Sequence, residues 1–459
     1  LKSGLQILGR AIEETAQEEG LDWLTKFAQG LTLLDDYDHE RLDTKYIFEM
    51  KKNIKVILLG IASVLLISSC KTNTGALSET NTIVPESVGI SSDSLAVATQ
   101  RLHKHVDDGK LPGTFVRVIK DGKVVYNDAY GMIDVANNKP IQENSLYRIF
   151  SMTKPITAVA IMTLYDQGKL QLDDKVSKYI PEFSQTKVYK KVDGKHSTVP
   201  QKNEMTIRHL LTHTSGIPYG WQESYTDSVY AARKLMMQDW SIEEMSKDLS
   251  TIPLKFQPGT KYEYGLGIDV AGYIVEVISG KTLDAYFKSA IFDPLKMDDT
   301  AFYLSEEKRD RMSVNYTHDE NGKIKVYENM LSLDDDSPPK LLLGGAGLIS
   351  TLTDYERFCR MLLNKGELNG KRVLSEKAAQ MVMTDQFPEE VAASQGKGHG
   401  LSGTVNLETG EYSWGGAAST KFWINPSNNL IVICYTQLMQ AKTDYASEFK
   451  STVDRSLID

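Results

Sequence analysis

The apolar positions of this chain follow different periods at its ends and in its middle. Residues 92–107 place Leu95, Thr99, Leu102 and Val106 at helical spacing, which predicts an amphipathic helix. Residues 115–126 alternate through Asp121-Gly122, the pattern of a β-hairpin. Residues 156–164 are then apolar on nearly every side, which predicts a helix buried all round, with Pro155 marking its start and Gly168 its stop. Residues 169–183 are irregular. A polar-rich helix is expected over 228–249, a second buried helix over 268–278 ending at Gly280, and a further helix over 353–363 behind the glycine-rich turn 344–347. Strand signals return at 400–406, 412–414, 420–424 and 430–435, separated by turns at 408–410 and 425–428, before a last helix over 446–457.

Strands at both ends and helices between them predict an α+β fold. One antiparallel sheet is assembled from the N- and C-terminal parts, flanked by helices, with a mostly helical lobe inserted at about residues 165–335.

Composition changes this picture little. The chain has 459 residues, 41% hydrophobic and 25% charged, an ordinary globular balance. Its net charge is −9 and it has no basic tract, which argues against a nucleic-acid partner. The N-terminal text is another matter. Residues 1–49 are acidic and helix-like, and the expectation is that they are an upstream fusion or an over-extended reading frame. Met50 then opens a basic stretch (Lys51, Lys52, Lys55), an apolar run over 56–67, and Ile67-Ser68-Ser69-Cys70. That is the grammar of a secretory signal, and its ending resembles a bacterial lipobox. The expectation is a lipoprotein signal peptide at 50–69, a lipidated Cys70, a linker over 70–85 and one domain over 86–459. The address is then the bacterial cell envelope, with Cys70 holding the chain on the periplasmic face or at the outer membrane. Cys359 and Cys434 sit in apolar surroundings and read as buried free thiols.

The candidate chemistry gathers at Ser151-Met-Thr-Lys154, at the head of the first buried helix. A serine hydroxyl becomes a nucleophile when a neighbour takes its proton, and an amine held in low-dielectric surroundings can do so. A helix start also offers N–H groups to a developing oxyanion. Ser-x-x-Lys also begins at Ser68, Ser184, Ser305, Ser337, Ser394 and Ser447, but none of those precedes a buried helix. Two histidine groups compete for attention. His103 and His105 lie on the first helix two apart, where side chains diverge. His209 and His213 are spaced i, i+4 on an expected helix, which could suit a metal, but no third ligand accompanies them. They read better as structural histidines bonding across a helix end. No metal and no cofactor is implied.

The order of blocks is distinctive: Ser151-x-x-Lys154, Leu-Leu-Thr-His213-Thr-Ser-Gly, Pro-Gly-Thr-Lys-Tyr-Glu-Tyr264, Gly-Gly-Ala-Gly347, and Trp414-Gly415-Gly416. Over about residues 86–455 it resembles the serine hydrolases related to class C β-lactamases. The resemblance implies a cleft between a helical lobe and an antiparallel sheet. It implies Ser151 as nucleophile, Lys154 and Tyr264 as its proton acceptors, and the N–H groups of Ser151 and Ala417 as the oxyanion hole. Trp414, Gly415, Gly416 and Leu266 would line the substrate cleft. Two positions depart from the usual pattern. Leu266 stands where Tyr-x-Asn is common, and Trp414 where Lys or His is common. β-Lactams carry a carboxylate and an amide that a cation and a carboxamide would bind, so these departures imply an apolar mouth. The Trp-Gly-Gly form resembles family VIII carboxylesterases. The expected activity is hydrolysis of neutral or apolar esters with weak β-lactamase action at most. The alternative is a penicillin-binding or D-amino-acid peptidase role on cell-wall peptides. A metal-dependent hydrolase and a catalytically silent binding protein are the remaining, weaker readings.

Overall fold

A computed structural model of the chain describes residues 82–328, 339–391 and 396–458. The segment 1–49, the signal-like stretch 50–69, Cys70 and most of the linker lie outside the described residues. None of the described helices is long and apolar enough to cross a membrane.

The predicted hairpin forms, and it is longer than its alternation suggests. Strands β1 (Gly113–Lys120) and β2 (Lys123–Asp134) turn through Asp121 and Gly122, with φ of 51° and 72°. Positive φ at both central residues suits the right-handed twist of a two-residue turn. The pairing runs back to Gly113 opposite Gly131. A Cβ at 113 would lie 2.7 Å from the Met132 nitrogen, so the strands close there only because both residues are glycine.

These strands join the C-terminal ones in a single eight-stranded sheet. Its members in chain order are β1, β2, β3 (Lys139–Pro140), β4 (Gly398–His399), β5 (Thr404–Val405), β6 (Tyr412–Gly415), β7 (Lys421–Asn425) and β8 (Leu430–Tyr435). The spatial order is β4-β5-β6-β7-β8-β1-β2-β3. The junction of the two ends of the chain is β1 against β8, antiparallel from Phe115 opposite Tyr435 to Lys120 opposite Leu430. The single strand expected at 400–406 is instead two short strands, because the chain folds back at Gly400, whose N–H bonds the Gly403 carbonyl at 2.8 Å.

Both faces of this sheet are covered, so its central strands are apolar on both sides. Val116 and Val118 of β1 pack with α1 (Ser92–Asp107) and α9 (Tyr445–Arg455). Phe115 and Ile119 face the main core with Tyr355 and Phe358 of α7 (Leu352–Leu363). Between them Arg117 is buried yet satisfied: it pairs with Glu143 and, at 2.5 Å, with Glu356 of α7. A buried charge is tolerable when its partners are buried with it.

Everything from residue 141 to 397 is inserted between β3 and β4. The first buried helix is α2 (Thr153–Asp166), in which every residue from Thr153 to Leu164 is buried. It packs on α6 (Gly267–Ser279) and α8 (Glu376–Met383). The polar helix expected at 228–249 is two helices, α4 (Tyr225–Arg233) and α5 (Ile242–Thr251), interrupted where Lys234 takes φ 48°. The insert also contains a two-stranded ribbon, Lys187–Val192 with Lys195–Pro200, that the polar text there did not announce.

Candidate active site

Ser151 lies in a tight turn, Phe150–Met152, that feeds directly into α2. The helix starts at Thr153, two residues before the start read from Pro155. Pro155 fits because the first helical turn has no use for its missing N–H. Phe150 takes φ 44°, a conformation disfavoured for a bulky side chain. The strain falls immediately before Ser151. The glycine-rich stretch 344–347 clamps this first turn. Thr157 Oγ1 donates to the Gly344 carbonyl at 2.6 Å, and Thr153 Oγ1 accepts from Leu348 N–H at 3.1 Å.

Tyr264 arrives from the other side, on the segment that leads into α6. Gly265 next to it has no room for a side chain, since a Cβ would come within 1.9 Å of the Ile217 carbonyl. That close approach also delivers Tyr219. Four groups then meet. Ser151 Oγ is 2.6 Å from the Tyr264 hydroxyl and 3.1 Å from Lys154 Nζ. Lys154 Nζ also donates to the Gly345 carbonyl at 2.7 Å and bonds the Tyr219 hydroxyl at 3.0 Å. An ammonium has three N–H donors, and three oxygens stand ready for them. Lys154 is 0% exposed, and its Nζ lies 4.7 Å from the Tyr264 ring centroid and 5.5 Å from that of Tyr219. Both rings present π-density to the cation. Burial, with the charges of Tyr264 and Asp269 behind it, holds the Tyr219 hydroxyl protonated well above the usual tyrosine range.

The third wall is the end of β6. Gly416 lies so close to the Ser151 turn that a Cβ would sit 2.4 Å from the Ile149 carbonyl. The sheet thus touches the turn just ahead of the serine, and Ala417 follows, exposed, at that contact. The Trp414 ring stands 5.8 Å from that of Tyr264 and nearly parallel to His213, with centroids 6.3 Å apart. His399 closes the box at 5.7 Å from His213 and 5.5 Å from Trp414. Burial keeps both histidines neutral: His213 is held well below its usual range and His399 falls to about 3.

Several expected positions differ. Leu266 does not line the cleft. It is 1% exposed, caps α6 and belongs to the main core, since the turn after Tyr264 must already point inward to start a buried helix. His213 is not on a helix with His209, because α3 (Ile207–Leu211) ends first and His213 has φ 55°. His209 binds across a helix end: its Nδ1 accepts from Thr206 N–H at 3.2 Å in a capping box. His103 pairs with Asp128 and His105 with Glu448. Cys359 and Cys434 are buried and free. Two neighbours of Lys154 escaped the sequence reading. Tyr219 follows the Leu-Leu-Thr-His-Thr-Ser-Gly block in a Pro-Tyr-Gly turn, an ordinary loop text. Asp269 did leave a signal, being an acid in the buried first turn of a largely apolar helix.

A hydroxyl between a phenol and an amine, under a strained turn and beside a sheet edge, has the parts for acyl transfer to serine. Known proteins point the same way. The family profile described as Beta-lactamase matches residues 98–454. The chain is 33% identical to "Esterase EstB" of Burkholderia gladioli over 230 residues, 49% of this chain and 56% of that one. It is 28% identical to "Lovastatin esterase" of Penicillium rubens over 390 residues, 76% of this chain and 94% of that one. Among solved structures, "EstCE1, a hydrolase with promiscuous acyltransferase activity" superposes with TM-score 0.66 and 24% identity, covering 79% of this chain and 98% of its own. The chain belongs to the beta-lactamase family and is a serine hydrolase, esterase-like, of the β-lactamase/transpeptidase fold.

Proposed function

We propose that the chain hydrolyses neutral or apolar carboxylic esters through an acyl-enzyme on Ser151. The observation that carries this is the placement of Ser151 Oγ between the Tyr264 hydroxyl at 2.6 Å and Lys154 Nζ at 3.1 Å. Tyr264 and Lys154 act as one proton-accepting unit once they hold a single ionisable proton between them, as ammonium and phenolate or as amine and phenol. The serine proton passes to that unit as Oγ attacks the ester carbonyl. It is then returned to the departing alcohol, and the same unit activates water to release the acid. The N–H groups of Ser151 and Ala417 receive the negative charge of each tetrahedral intermediate. Trp414, at the mouth, supplies an apolar face where a cation would be needed to hold a carboxylate. A site without the matching polar partner discriminates strongly against substrates that need one.

The esterase names of the relatives support this substrate class. Purified protein is expected to turn over a nitrophenyl butyrate far faster than a chromogenic cephalosporin or a D-alanyl peptide, and Ser151→Ala to abolish turnover. The reverse order of rates would favour a penicillin-binding or peptidase role. Residual turnover at the wild-type rate in Ser151→Ala would remove the serine from the chemistry. The signal-like text ahead of Cys70 supports export and lipid anchoring in a bacterial envelope. Radiolabelled palmitate should mark the wild type and not Cys70→Ser; equal labelling, or none, would refute the anchor.

A further inference from the structure

Asp269 is a carboxylate that the reaction above does not use. It sits in the first turn of α6 and is 1% exposed. One oxygen, Oδ1, accepts from the Gly345 N–H at 2.8 Å. The carbonyl of that same glycine is the acceptor that holds Lys154 Nζ at 2.7 Å. Gly345 is thus gripped on both sides, by the acid through its N–H and by the amine through its C=O. Only glycine permits this, since a Cβ there would lie 2.7 Å from Asp269 Oδ2. Oδ2 itself is buried with no hydrogen-bond partner among the described residues.

An acid without a full set of partners is expensive to bury, and burial raises the Asp269 carboxyl above its usual range, while Lys154 and the Gly345 N–H work to lower it. Lys154 is equally buried, and among the described residues no carboxylate lies within 4 Å of its Nζ. The cost of each falls if the other is charged, because a cation and an anion separated by one residue in a low-dielectric interior attract strongly. The titratable groups facing this pair are Tyr219, held protonated, His213, kept neutral by burial, and Tyr264, which shares a proton with Lys154 in the accepting unit. We infer that Asp269 is the ionised counter-charge of the active site and, through Gly345, the residue that positions Lys154. It touches no substrate and is a positioning residue. This inference rests on the acyl-enzyme reading and adds the electrostatic support that reading lacks.

The sign of its effect is fixed. A negative charge nearby makes every proton of the Ser151–Lys154–Tyr264 unit harder to lose, so its removal makes each easier to lose. Asp269→Asn keeps the size and an acceptor for Gly345 N–H while deleting the charge. Both limbs of the kcat/KM–pH profile are therefore expected to move toward acid by about one unit, the scale for a nearby charge in a buried site. Asp269→Ser, smaller and also neutral, should move them the same way, and Asp269→Glu should restore the wild-type position at whatever rate. A packing role would lower the rate or the melting temperature and leave the limbs in place, and that result overturns the proposal. In wild-type protein, NMR of carboxyl-labelled aspartate at about pH 8 should find every aspartate ionised. A carboxyl still protonated there overturns the charge assignment even if no variant folds. Ser151→Ala separates the two claims: it tests the acyl-enzyme, whereas unmoved limbs in a Ser151-dependent enzyme defeat only the counter-charge.

Discussion

At Tyr264 the distance to Ser151 matters more than the identity of the residue. The Tyr264 oxygen is 2.6 Å from the serine, so as phenolate, or as phenol passing its own proton to a neutral Lys154, it can take the serine proton without any rearrangement of the resting site. Tyr264→Phe keeps the ring against His213 and removes only that oxygen. Esterase kcat/KM is expected to fall by about 10²-fold or more, with the melting temperature nearly unchanged. An unchanged rate would take Tyr264 out of the reaction. Ser151, Lys154 and Tyr264 were legible in the text because their blocks are short and local. Tyr219 was not, because nothing in a Pro-Tyr-Gly turn says that its hydroxyl will reach a lysine 65 residues earlier.

Among the elements, the contact between β6 and the Ser151 turn is the sensitive one. Gly416 has both the Ile149 carbonyl and Thr420 Oγ1 2.4 Å from where a Cβ would be. Gly416→Ala must push the sheet edge away from the turn, or the turn from the edge. Displacements of about 1 Å at a catalytic group can cost 10²-fold in rate. Steady-state esterase assays are expected to show at least a tenfold loss in kcat, out of proportion to any loss of thermal stability. Element types were readable here because periodicity survives in single segments: Ser92–Asp107 falls where its spacing predicts. Ends and interruptions were less so. α4 and α5 part at Lys234, and the 400–406 run folds back at Gly400, under tertiary demands that local text does not carry.

Across the whole molecule, buried histidines tie stability to pH. His209 titrates near 4 and His399 near 3, both pushed down first by burial, and His213 lies lower than its usual range for the same reason. The unfolded chain binds these protons near pH 6.5. As pH falls below that value the unfolded state gains protons the folded state refuses, so stability is lost progressively down to the folded values. Asp354, pushed up to about 6 by burial, works in the opposite sense, as do Asp128, Asp269 and Glu276, whose carboxyls burial also raises. Melting temperature should drop between about pH 7 and pH 5, and a folded His399→Gln protein should show a shallower slope. A melting temperature that holds or rises over that interval would contradict the burial of these rings.

Sequence alone determined the elements whose physics is local. Periodicity gave the buried helix behind Ser151, alternation gave the hairpin, and the division of strands and helices gave an antiparallel sheet interrupted by a helical insert. It also supplied the residues able to do chemistry. Tertiary structure decided which of them meet. Leu266 went to the core because the turn after Tyr264 must aim inward, and His213 left the helix for an aromatic box against Trp414. Asp269 and Tyr219 joined Lys154 through backbone approaches that only glycines at 265 and 345 allow. Proximity between distant segments depends on how their surfaces exclude one another, and no window of sequence contains that information.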